Sequence, residues 1–109
     1  MKLLPSLKER KRYVLFKIDS KEDFTAMDVK KAVDNAIKDF IGELGISKAS
    51  PMFLSERYQK NQFIVKVNHK FVNEVVSAII LIKKIKNTPV LLQSVIISGT
   101  LKKVSSYIK

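Results

Sequence analysis

The 109-residue sequence has no cysteine and no tryptophan, one histidine, three glycines and three prolines. Without cysteine there is no disulfide framework and no thiolate chemistry, and with His69 alone nearly every structural zinc site is excluded too. Gly42, Gly45 and Gly99 are too few and too scattered to form a phosphate-cradling loop. No apolar run approaches the roughly 20 residues that span a bilayer, and Met1 to Arg12 lacks the pattern of a signal peptide. A cytoplasmic protein that avoids the membrane is expected. Acidic residues are also scarce: ten Asp and Glu stand against twenty-one Lys and Arg, a formal charge of +11. That excess is far more than solubility asks of one small domain, so an anionic partner is expected.

The charge is unevenly spread. Residues 1–18 carry six basic side chains against Glu9 alone, and residues 44–109 carry eleven against Glu56 and Glu74. Between them, residues 19–43 hold seven acids against four lysines. Two basic parts flanking an acidic one predict one basic and one acidic face, the footprint of phosphate-backbone binding. A merely solvated lysine-rich surface is the plainer alternative.

Arg12 to Ile18 is rich in β-branched and aromatic residues and reads as a strand. Thr25 caps the following helix, with Asp28 three residues on. Val29, Ala32, Val33, Ala36, Ile37, Phe40 and Ile41 then recur at spacings of three and four, and Gly42 and Gly45 supply stops. Met52–Glu56 and Gln62–Val67 are two further strands, joined by the polar Tyr58–Asn61 hairpin connection; Pro51 demotes the first to an edge. Asn68 caps a second helix from about Lys70 to Lys84, with Lys83, Lys84 and Lys86 at its C-terminus. The last strand runs from Val90 to Ser98, with Pro89 marking it as an edge and Gly99 closing it.

The order β-α-β-β-α-β predicts an α+β, ferredoxin-like (RRM-like) sandwich. A four-stranded antiparallel sheet carries two helices on one face and has the first and third strands in its centre. The single domain divides into a basic N-terminal arm (1–11), a core (12–98) and a basic tail (99–109). Tyr13 and Leu15 on one side of the first strand, and Val14, Phe16 and Ile18 on the other, are all apolar, so the second face of the sheet is expected to be covered as well. The tail from Leu101 to Ile108 is available for part of it; a protein partner or a second copy, meeting Tyr13, Leu15 and Leu91, is expected over the rest.

No catalytic constellation emerges. His69, the sole candidate base, falls at a helix start where a capping or exposed role is commoner. Asp19, Glu22 and Asp23 match no calcium loop and have Lys21 among them, so a solvated turn is the better reading than a metal site. The third strand, Phe63–Val67, lacks the glycines and paired aromatics with which such sheets stack RNA bases. The better candidates for RNA are Lys8, Arg10, Lys11 and Arg12 of the arm with Lys102 and Lys103 of the tail, which the topology allows to meet at one end of the sheet. Contacts of this kind go to phosphates.

Three stretches, Arg10–Ile18, Gly42–Gly45 and Ser98–Lys103, make the chain resemble the archaeal ribonuclease P protein component 2 family over about Leu4 to Lys103. The resemblance implies a non-catalytic protein subunit of an RNA enzyme that removes 5′ leaders from precursor tRNA. It implies that catalysis belongs to the RNA and its Mg2+ ions, with no cofactor in this chain and precursor tRNA met only indirectly. It also implies pairing with ribonuclease P protein component 3 and self-association into a heterotetramer. Two rival readings stay open: an RNA-binding module of another ribonucleoprotein, and a ferredoxin-like ligand-sensing regulatory domain.

Overall fold

The structure, a computed structural model, describes residues 10–108. The chain runs through β1 (Lys11–Asp19), α1 (Ala26–Ala49), β2 (Met52–Phe53), β3 (Gln62–Asn68), α2 (Val72–Ile80), β4 (Lys84–Ile85), β5 (Thr88–Pro89), β6 (Leu91–Ser98) and α3 (Leu101–Ser105). The main sheet has the order β2-β3-β1-β6 with every pairing antiparallel. The first and third strands are central, as the β-α-β-β-α-β order predicts. No helix among the described residues is long and apolar enough to cross a membrane.

Alternation along the strands divides the apolar residues between two clusters. Val14, Phe16 and Ile18 of β1, Phe63, Val65 and Val67 of β3, and Leu92 of β6 pack on Val29, Val33 and Ile37 of α1 and Val72, Val75 and Ile79 of α2. Three rings run across this layer: Phe63 stacks on Phe16 at 5.2 Å and on Phe53 at 5.3 Å between centroids. On the opposite face, Leu15 and Ile64 are fully buried beneath Val104 of α3, with Leu54, Ile96, Leu101 and Ile108 around them. The expected cover by the tail is therefore found. Each such side chain contributes roughly 1.5–3 kcal/mol on burial, so the tail is an integral part of the fold.

The first helix begins where the sequence predicts. The Thr25 hydroxyl accepts the Asp28 N–H at 3.2 Å and the Asp28 carboxylate accepts the Thr25 N–H at 3.4 Å, a reciprocal cap. Gly42 does interrupt the helix, at φ 72° and ψ 175°, a conformation natural only to glycine. The chain then re-enters helical geometry and continues to Ala49, which is wholly buried. The interruption re-aims the last turns toward the core.

Several sequence boundaries need correction. The first edge strand is only Met52–Phe53, because Leu54 turns inward onto the second cluster and Ser55–Arg57 coil into a 3-10 turn. Asn68 does cap, accepting the Lys70 N–H at 3.0 Å, but it caps a 3-10 turn, His69–Phe71, that precedes α2. That helix ends at Ile80, so Lys83, Lys84 and Lys86 do not lie at its C-terminus. Lys84–Ile85 instead pairs with Thr88–Pro89, and the hairpin buries Ile85. Pro89 belongs to this hairpin rather than to β6. The reason is local: Lys86 and Asn87 both adopt left-handed backbone (φ 51° and 64°), the geometry of a two-residue hairpin corner. Lys60 and Asn61 repeat it (φ 45° and 61°) at the entry to β3. Both corners are Lys-Asn, with asparagine tolerating the left-handed region well.

Asn61 has a further task. It is buried, its Oδ1 accepts the Phe24 N–H at 3.1 Å, and its Nδ2 donates to the Glu22 carbonyl at 2.9 Å. The Tyr58 hydroxyl donates to the Phe24 carbonyl at 2.6 Å. Burial pushes the Tyr58 phenol above its ordinary pKa, with the charges of Asp23 and Asp28 adding to the effect, so it stays a donor. Together they fix the loop between β1 and α1.

Candidate nucleic-acid interface

The arm and the tail meet. Because β1 and β6 are antiparallel with Tyr13 opposite Ser98, the start of β1 and the end of β6 share one rim of the sheet. Arg10, Lys11 and Arg12 enter at that rim and Gly99 to Lys103 leave from it. Arg10 is anchored there by its backbone: its carbonyl accepts the His69 N–H at 2.9 Å, with His69 Nδ1 at 3.3 Å from the same oxygen. His69 is thus a positioning residue of the rim.

Arg12 lies across Gly99. A Cβ added to Gly99 would come within 2.5 Å of Arg12 Nη1, so the guanidinium occupies space that any other residue would fill. One turn on, Lys102 and Lys103 are exposed on α3, whose opposite side places Val104 in the core. The packing of α3 therefore fixes the outward direction of its two lysines.

Lys66 is the addition that sequence reasoning missed. It pairs in register with Tyr13, and its Nζ stands 6.0 Å from the centroid of that ring. The signal available was the alternation of β3, in which Lys66 follows Ile64 on the face opposite Phe63 and Val65. Lys70, exposed beside His69, extends the same rim. Lys8 lies outside the described residues.

The other end of β1 carries both signs of charge, with Lys21 and Lys60 among its acids. Asp19, Glu22, Asp23 and Asp28 gather there, with Glu22 accepting the Thr88 hydroxyl at 3.0 Å and Lys86 paired to Asp28 at 3.1 Å. Burial pushes the Asp28 carboxyl up, but the Lys86 ammonium and the Thr25 hydroxyl and N–H outweigh it and hold the group below its usual value. An open cavity of about 540 Å³ lies at this end, lined by Asp19, Ser20, Lys21, Thr88, Pro89, Val90 and Leu91. No group of three or more metal-ligating side chains occurs among the described residues.

Of the three residues expected to meet a partner, Leu15 is covered by α3 of its own chain, because the tail's Val104 fills that position first. Tyr13 is half-buried at the margin of the same cluster. Leu91 is 55% exposed, at the end of the edge strand β6 that pairs with Asp19.

The basic side chains of Arg10, Lys11, Arg12, Lys70, Lys102 and Lys103 thus belong to segments that meet at one end of the sheet. The profile of one family, described as the Rpp14/Pop5 family, matches residues 12–109. The protein called ribonuclease P protein component 2 of Pyrococcus furiosus is 30% identical over 101 residues, spanning 93% of this chain and 84% of that one. Its namesake in Thermococcus gammatolerans is 33% identical over the same shares, and that of Methanocaldococcus jannaschii is 33% identical over 93% of this chain and 74% of its own. Among solved structures, a chain of the cryo-EM structure of yeast ribonuclease MRP superposes with a TM-score of 0.68 at 18% identity, covering 86% of this chain and 77% of that one. That likeness concerns the fold.

Proposed function

Since this chain belongs to the Rpp14/Pop5 family, we propose that it is a non-catalytic protein subunit of ribonuclease P, a tRNA-processing ribonucleoprotein. In this reading it works in the cytoplasm. It neutralises phosphates of the catalytic RNA and, paired with ribonuclease P protein component 3 and self-associated in a heterotetramer, holds that RNA in its active shape. Hydrolysis of the 5′ leader of precursor tRNA is then carried out by the RNA and its Mg2+, and precursor tRNA meets this chain only indirectly.

One observation carries the reading. Arg10, Lys11, Arg12, Lys66, Lys102 and Lys103, far apart in sequence, gather toward one rim, whereas Asp19, Glu22, Asp23 and Asp28 at the other end stand among Lys21, Lys60 and Lys86. Positive charge gathered along an open rim favours an extended polyanion over a small ligand, which would need an enclosed pocket of converging polar groups.

The test is reconstitution. Leader removal by the ribonuclease P RNA at low Mg2+ is measured with and without this protein and its partner subunit, and a rise in rate on addition is expected. Equal rates overturn the proposal. Replacing Arg10, Lys11, Arg12, Lys102 and Lys103 by Ala should leave the melting temperature nearly unchanged while flattening the salt dependence of RNA affinity by up to about 4.5 in log–log slope, near 0.9 for each phosphate no longer neutralised.

A further inference from the structure

His69 is the only histidine of the chain, and there is no cysteine. Among side chains an imidazole alone ordinarily changes charge between about pH 5 and 8, so in this protein that capacity is concentrated at one point of the basic rim. Its place there is fixed from two directions. Lys11 pairs with Asn68, which sets His69 beside Arg10 where the sheet ends. Asn68, itself buried, accepts the Lys70 N–H at 3.0 Å and so holds the 3-10 turn His69–Phe71.

The Arg10 carbonyl decides which ring nitrogen holds the hydrogen. That oxygen accepts the His69 N–H at 2.9 Å and stands 3.3 Å from Nδ1. A carbonyl oxygen can only accept, so Nδ1 carries hydrogen, and in the neutral ring Nε2 is left with a free lone pair. Nε2 lies across the ring from Nδ1 and is the nitrogen that takes the second proton. Charging the ring therefore keeps the bond to Arg10. It adds a cation to the rim without moving the turn.

We propose that His69 takes up a proton when RNA binds, and that the imidazolium, through Nε2, contacts a phosphate held between Arg10 and Lys70. The inference rests on the grip on RNA proposed above and adds its regulation by pH. The charged side chains of β1 at this end are Arg10, Lys11 and Arg12, and Lys70 stands next to the ring on its own turn. Both α1 and α2 pack on that turn; Glu43 and Lys48 come from the later part of α1 and Glu74 from the first turn of α2. Glu43 is paired with Lys38 at 3.7 Å, and no carboxylate of the described residues forms an ion pair with His69. The negative charge that favours the imidazolium has then to come from outside the chain, and a phosphate drawn to a basic rim supplies it.

The experiment follows affinity for the ribonuclease P RNA between about pH 6 and about pH 8, for the natural chain, His69→Gln and His69→Lys. Calorimetry in two buffers of different ionisation enthalpy counts the protons taken up. The natural chain should bind about fivefold to tenfold tighter at the acidic end, with uptake of up to about one proton on binding. His69→Gln should flatten that dependence, and His69→Lys should keep the tighter affinity throughout. Protonation of RNA bases or of the chain's amino terminus is common to all three proteins and drops out of the comparison. Nitrogen chemical shifts of the ring should show Nδ1 protonated across the range and Nε2 titrating. Unchanged melting temperatures show that the variants keep the turn. A natural chain whose pH dependence matches that of His69→Gln overturns the proposal, and so does a neutral ring with its hydrogen on Nε2. RNA that binds equally well at both ends of the range refutes the proton and leaves the grip standing, whereas RNA that binds at neither refutes the grip and the proton with it.

Discussion

Arg12 and Gly99 face each other across neighbouring strands so closely that the arginine side chain rests where a glycine side chain, had there been one, would stand. Gly99 has no left-handed backbone to accommodate, so what it contributes is room. Substituting Gly99→Ala should therefore leave the fold stable and displace the guanidinium, lowering the log–log salt slope of RNA binding by about 1, the effect of one phosphate fewer in the grip. Arg12→Ala should do the same, and the two together no more than either. Additive effects would show that Gly99 acts by another route.

Val104 seals the second face of the sheet. Val104→Ala removes two buried methyl groups over Leu15 and Ile64 and should cost about 2 kcal/mol, read as a lower urea midpoint at unchanged slope. Lys102 and Lys103 would also lose their fixed direction, so RNA affinity should fall although no charge has been removed. Affinity that stays constant while stability falls would separate the lysines from the packing beneath them.

Asn61 combines a left-handed corner with two buried hydrogen bonds to the loop before α1. Asn61→Ala leaves the Phe24 N–H and the Glu22 carbonyl without their partner and strains the corner, and should cost about 2–4 kcal/mol. Asn61→Gly restores only the backbone freedom, so it should recover the smaller part of the loss. Amide hydrogen exchange at Phe24 gives the local readout.

Asp28 should make stability depend on pH. Its carboxyl is held below the ordinary value of 3.8 in the folded protein, so its contribution is present above that value and is lost as the pH falls through the folded one. The stability difference between the natural chain and Asp28→Asn should be constant near neutrality and shrink as the solution becomes more acidic than about pH 4. Asp34 acts in the opposite sense: burial pushes its carboxyl up, with Lys30 pulling it down. A difference that does not change with pH would mean that the cap works through shape alone.

The architecture was legible because local and global signals agree. The stripe from Val29 to Ile41 sets one helix, and the apolar pattern on both sides of β1 announces a sheet covered twice. What escaped the sequence are features decided by competition. Nothing in Ile79–Lys86 says that the helix stops at Ile80, since its isoleucines suit helix, strand or core alike. The hairpin prevails because Lys86 and Asn87 turn the chain back and bury Ile85. Leu15 reads as a partner's contact for a similar reason: a buried side chain does not declare whether its cover is its own chain or another. At the basic rim, the arm and tail were readable as charge, whereas Lys66 becomes part of it only through the register of β3 on β1.

The element that closes the second face, α3, follows all six strands of the described residues. During synthesis the strands are complete before α3 has left the ribosome, and throughout that interval Leu15 and Ile64 are bare to the cell. The nascent sheet thus has a sticky side until α3 is made, and a product truncated near Gly99 would be prone to aggregation and to capture by chaperones.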